Sequence, residues 1–170
     1  MGLPDSIYRL RQFAAALLAH VHHDERILLT GTLNAAQLAL FERMPRFDQR
    51  HCLDVYHWLV RAGQRDPHLL QAALLHDCGK VDAAGRTIPL FYYGVIVILQ
   101  RVAPALYRRA VAYNRGLLRP FALHYGHEAR GAAYAAAAGS DPAVIAILSD
   151  YAARRSTPLT EALHAADDAN

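Results

Sequence analysis

The chain has 170 residues, 54% of them apolar, with 10 glycines, 8 prolines and 9% aromatics. That length and apolar content suffice to bury a substantial core, and they exclude an intrinsically disordered chain. A formal net charge of +3 suits an anionic small substrate as well as a nucleic acid and selects neither.

Apolar positions at Ile7, Leu10, Phe13, Ala14, Leu17 and Leu18 recur with helical spacing, so a helix over 6–20 is expected on the outside of the fold. The opening lacks the charged-then-apolar pattern of a secretory leader, and Pro4 and Asp5 spoil a formal myristoylation match. A cytoplasmic protein is expected, with Cys52 and Cys78 as free thiols. His22–Arg26 reads as a polar break, and His20, His22, His23 and His68 read as surface histidines in polar company.

Asn34 can cap a second helix to about Met44, closed by Pro45. A third, about Asp48 to Ala62, turns Leu53, Tyr56, Leu59 and Val60 to the core, with His51, Asp54, Val55 and Trp58 along a stripe. His57 falls about 240° round from His51 and should not share its site. Asp66-Pro67, Asp141-Pro142 and Thr157-Pro158 each write a helix start in the same way, cap then proline. Thr87 to Gln100 is an uncharged run, shorter than the roughly 20 residues of a membrane-spanning helix. It is expected to be a buried helix, with dimer or membrane-surface contact as alternatives. A basic helix with Arg108 and Arg109 follows, then a long alanine-rich helix over about 120–138 carrying His124 and His127 on one face. Helices over about 142–154 and 158–168 complete an all-α fold of seven or eight helices, with no strands and no repeats.

The stretch with most chemistry is Ala72-Ala73-Leu74-Leu75-His76-Asp77-Cys78-Gly79-Lys80. An apolar helix that ends in an imidazole beside a carboxylate must compensate their desolvation, and a divalent metal does so. Gly79 is expected to end the helix in the left-handed conformation. The competing reading is a core histidine beside a solvated aspartate, and for His51 a histidine bonded to a backbone carbonyl.

His51 within Asp48-Gln49-Arg50-His51, then His76-Asp77, then Asp167 within Leu163-His164-Ala165-Ala166-Asp167, resembles the HD-domain superfamily of metal-dependent phosphohydrolases. The resemblance covers roughly residues 35–170. It implies a single helical domain over 1–170, with 34–170 as the motif-bearing core and 1–33 packed outside. It implies one divalent ion (Mn, Fe, Ni or Mg) on His51, His76, Asp77 and Asp167, with Asp168 as the fallback ligand. Asp77, Lys80 and His127 would then be catalytic, and His124 and Arg130 would face a small phosphoester substrate. Lys80 has a plainer alternative, bonding the last carbonyls of its own helix.

Some branches of the superfamily carry a further histidine pair about twenty residues on; this chain has Asp150 there instead, as a substitute ligand or a surface aspartate. The cyclic-dinucleotide branch's Gly-Tyr-Pro and the alarmone branch's Glu-Asp after His-Asp are both missing. A regulatory or interaction module that is weakly active or inactive is the alternative to an enzyme. Nucleic-acid binding through Arg101, Arg108, Arg109, Arg115 and Arg119 is not expected, and a homodimer stays open.

Overall fold

The structure, a computed structural model, describes residues 20–170. The helix expected over 6–20 falls, apart from His20, outside the described residues. Among them are ten α-helices and two short 3₁₀ turns, more helices than the seven or eight expected. They are α1 (His23–Thr32), α2 (Ala35–Glu42), α3 (Arg46–Arg61), α4 (Pro67–Leu75), α5 (Leu90–Val102), α6 (Pro104–Tyr113), α7 (Arg119–Tyr125), α8 (His127–Ala137), α9 (Pro142–Ala152) and α10 (Pro158–Asp168). The turns are Cys78–Lys80 and Gly116–Leu118. No helix among the described residues is long and apolar enough to cross a membrane.

Two local effects raise the helix count. The polar stretch at His22–Arg26 is not a break but a helix start. Glu25, three residues into the helix, accepts the His22 backbone N–H at 2.8 Å, closing a capping box. The continuous helix expected over 120–138 breaks at Gly126, whose φ of −101° and ψ of 11° leave helical geometry. Arg130 then reaches back across the break and donates to the Leu123 carbonyl at 2.5 Å, satisfying an acceptor that the end of α7 leaves open. The written starts behave as read. Asp66 accepts from His68 and Leu69 N–H, Asp141 from Ala143 and Thr157 from Thr160, each with proline in the first turn.

Two apolar clusters hold the fold. The larger joins α1–α4 to α8–α10 through Phe41, Leu53, Leu59, Leu74, Leu75 and Leu163. On α3, Leu53 and Leu59 are fully buried, whereas Tyr56 and Val60 are only half-buried. The smaller joins α5, α6 and α7 through Tyr92, Ile96, Tyr107, Ala110, Phe121 and Leu123, with Ile88. The expectation for α5 is half right. It is a helix, but only Tyr92 and Ile96 are buried, while Phe91, Val95, Ile98 and Val102 stand in solvent. A helix that is apolar on every side needs partners on every side, and α5 packs against the protein on one.

Candidate metal centre

The apolar run of α4 is buried from Ala72 to Leu75, and the chain then turns through His76 and Asp77 into the Cys78–Lys80 turn. Gly79 does not take the left-handed conformation expected of it; the positive-φ glycines are Gly63, Gly85, Gly116 and Gly139. Its lack of a side chain serves close approach instead. A β-carbon there would lie 2.0 Å from the His127 carbonyl oxygen and 2.5 Å from the Gly131 nitrogen. The turn is thus pressed onto the first turns of α8, which brings His127 beside Asp77.

Three helix ends and one helix face converge on this turn. His51 Nε2 and Asp167 Oδ1, 116 residues apart in sequence, are 2.8 Å apart. His51 Nε2 is 3.8 Å from Asp77 Oδ2, and His76 Nε2 is 3.6 Å from Asp77 Oδ2 and 3.7 Å from Asp167 Oδ1. Ligand atoms about 2.1 Å from one ion are roughly 3 Å apart when adjacent and roughly 4.2 Å when opposite, so these separations fit. His51, His76 and Asp77 form a group that can hold a metal ion, with His76 and Asp77 fully buried and His51 partly so.

The clearest sign of a missing partner is on His76. Its Nδ1 lies 2.8 Å from the Ala73 carbonyl, so that nitrogen carries a hydrogen and Nε2 is the atom turned to the cluster. Nε2 is buried with no hydrogen-bond partner among the described residues. Asp167, not Asp168, faces the cluster. Its second oxygen accepts from the Tyr151 hydroxyl at 2.5 Å, and Tyr151 in turn stacks on His164 with ring centroids 4.1 Å apart.

On the other side of Asp77 lies a buried charge network. Lys80 Nζ is 2.6 Å from Asp77 Oδ2 and 3.3 Å from Asp48 Oδ1, and it sits 5.1 Å from the Tyr93 ring centroid. Lys80 therefore does not bond the carbonyls of its own helix. The Tyr93 hydroxyl donates to Asp48, 3.1 Å from either oxygen. Burial raises the Asp48 carboxyl, and the nearby Asp77 charge adds to this, against the opposing pull of Lys80. Burial alone would raise Asp77 too, but Lys80 and His76 hold it well below the usual carboxylate range. Burial would lower His76, yet Asp77, Cys52 and Asp167 together more than reverse this and raise it well above an ordinary histidine. Asp167 follows Asp77, with His51 and His76 overcoming its burial and holding it low.

The remaining residues of interest divide. His127 Nε2 lies 3.4 Å from Asp77 Oδ1, and its Nδ1 is 2.5 Å from the His124 carbonyl. His124 is partly buried, and its Nδ1 has no hydrogen-bond partner among the described residues. Burial, with the charges of His127 and Lys80, pushes it down to about 4. Arg130 is spent on backbone, donating to the Gly79 carbonyl at 2.8 Å as well as to Leu123. Asp150 pairs with Arg155 at the surface and takes no part. His57 turns away from the centre to Glu25 at 3.1 Å, beside Arg50, as its position on the helix requires. Cys52 and Cys78 are buried free thiols; Cys52 Sγ is 3.8 Å from His76 Nδ1, and burial pushes Cys78 up to about 12.

Sequence reasoning passed over Asp48, Tyr93 and Tyr151. Asp48 was detectable, since it sits three residues before His51 and so on the same helix face. Tyr93 and Tyr151 lie in apolar helical text and carry no local signal.

His124 yields a pH prediction. Its folded value of about 4 lies below the roughly 6.5 of an unfolded histidine, so between those values only the unfolded chain takes up the proton. Its contribution to stability therefore declines as pH falls from about 6.5 towards 4. In the metal-free protein, the His124 ring signals in NMR should show no titration above about pH 5; a midpoint near 6.5 would contradict its burial.

No family model matches the chain, and neither the curated proteins nor the solved structures hold a significant match to it.

Proposed function

We propose that this chain is a metal-dependent phosphohydrolase of the HD type, acting on a nucleotide or related phosphoester. The observation that carries the reading is the partnerless, buried Nε2 of His76 among His51, Asp77 and Asp167. A ring nitrogen buried without a hydrogen-bond partner costs free energy that a cation would recover on displacing the proton there. Two imidazoles and two carboxylates suit Mn, Fe, Ni or Mg, one ion per chain, and leave positions open. When bound, such an ion supplies a nucleophile at neutral pH and Lewis acidity towards a phosphoryl oxygen.

The chain's own residues supply the rest. Asp77 divides its oxygens, Oδ2 towards the histidines and Lys80, Oδ1 towards His127. Lys80 fixes the orientation of that carboxylate and is a positioning residue. His127 has its Nδ1 engaged by the His124 carbonyl, which aims Nε2 at Asp77 and at the space beside it. Protonated on Nε2, it donates a proton to the leaving oxygen. His124, with an open Nδ1, is the substrate-side group, whereas Arg130 braces the turn through two backbone carbonyls.

The test is elemental analysis of the purified protein, with turnover of nucleotides and generic phosphoesters before and after chelation. About one divalent ion per chain and chelator-sensitive turnover are expected. A protein that takes up none of the four metals and shows no turnover is instead a regulatory module. His127→Gln should keep its metal and lose roughly 10²–10⁴ in turnover, the size of a general-acid contribution. Unchanged turnover would reduce His127 to packing.

A further inference from the structure

Between Asp82 and Glu128 the chain contains no acidic residue, yet it has six arginines, Arg86, Arg101, Arg108, Arg109, Arg115 and Arg119. Arg86 and Arg119 pair with Asp82. The other four are exposed and pair with no carboxylate among the described residues. The same stretch carries most of the exposed large apolar side chains, among them Ile98 at 61%, Val102 at 77%, Leu106 at 54% and Leu117 at 83% exposure. On α5 the exposed residues Phe91, Val95, Ile98 and Val102 follow each other at steps of four, three and four, one continuous stripe.

We propose that α5, α6 and the Gly116–Leu118 turn form a docking surface for a bilayer containing anionic phospholipid. Exposed aliphatic and aromatic side chains interleaved with arginines match the two halves of such a surface, acyl chain and headgroup. A second copy of this chain fits worse, because a two-fold contact sets the same patch against itself, arginine facing arginine with no acid to separate them. Nucleic acid would satisfy the arginines and leave the aliphatic stripe without a partner. α5 is too short to span, so the contact lies in the plane of the interface.

Sedimentation of the full chain with vesicles tests this. Vesicles of phosphatidylcholine and phosphatidylglycerol should carry the protein down, phosphatidylcholine alone should not, and added salt should release it. Arg108→Glu with Arg109→Glu should weaken partitioning by roughly thirtyfold or more, taking about 1 kcal/mol per arginine lost. Ile98→Glu with Leu117→Glu, at exposed positions that leave the fold intact by circular dichroism, should abolish it. Protein that stays in solution with both vesicle types overturns the proposal, as does unchanged binding by the Ile98/Leu117 variant. A dimer in ultracentrifugation that this variant dissociates would also overturn it, because a second copy would then cover the face.

Discussion

His76→Ala is expected to purify without a divalent ion and without turnover, while keeping its helical circular dichroism. The variant removes the partnerless Nε2 from the centre of the cluster but leaves the Lys80, Asp77 and Asp48 network intact. Asp77→Ala should differ. It removes the same metal site and also leaves the buried Lys80 ammonium with Asp48 alone. Breaking a buried pair from one side costs about 3 kcal/mol or more, so this variant loses stability as well as metal. Comparing metal content and denaturant midpoint across the two variants separates ligand from structural roles. Full metal content in His76→Ala would remove His76 from the site.

The protonation states add a direction. His76 is raised by Asp77, so a metal ion must displace its proton, and affinity should climb with pH until that proton is gone. Asp77 and Asp167 act oppositely on folding. Their folded values lie below the unfolded ones, so their stabilisation is present above about pH 4 and disappears as pH falls further. Acid should therefore strip the metal before it unfolds the protein.

Gly79→Ala is expected to be the most damaging glycine-to-alanine change among the described residues. The added carbon would meet the His127 carbonyl and the Gly131 nitrogen, both backbone, at separations that no rotamer change relieves. The Cys78–Lys80 turn and the start of α8 must then part. Overpacking of this kind costs about 3 kcal/mol or more, which in a chain of this size lowers the melting temperature by roughly 6–12 °C. The displacement also pulls His127 from Asp77, so turnover should fall by more than the folded fraction accounts for. Gly131→Ala is the control. Its nearest contact would be 3.3 Å, from the His76 carbonyl, and a much smaller loss is expected.

What the sequence disclosed was what is written locally. Asp66-Pro67 and Thr157-Pro158 start helices because cap and proline act within one turn, and tertiary context has little to override. His76-Asp77 stood out because an apolar helix ended in two polar groups. That Asp48 pairs with Lys80, 32 residues on, and with Tyr93, 45 residues on, could not be read, because helix packing brings these residues together. Gly79 was misread for a related reason. Its role depends on α8, and a helix-ending glycine and a close-packed one look alike in sequence. For α5 the buried-helix expectation rested on apolar residues pointing inward, whereas dimer or membrane-surface contact, the alternatives, require the exposed face it has.

The buried cluster also sets a charge limit. With its imidazoles neutral, as ligands must be, it holds the carboxylates of Asp48, Asp77 and Asp167 against the single ammonium of Lys80. The residual charge is minus two, which one divalent cation neutralises. A monovalent ion would leave the interior anionic, and a second divalent ion would make it cationic unless a phosphate entered with it. On the proposed one-ion reading Lys80 would be a built-in counter-ion that limits stoichiometry, and Lys80→Met should take up more than one divalent ion per chain by elemental analysis.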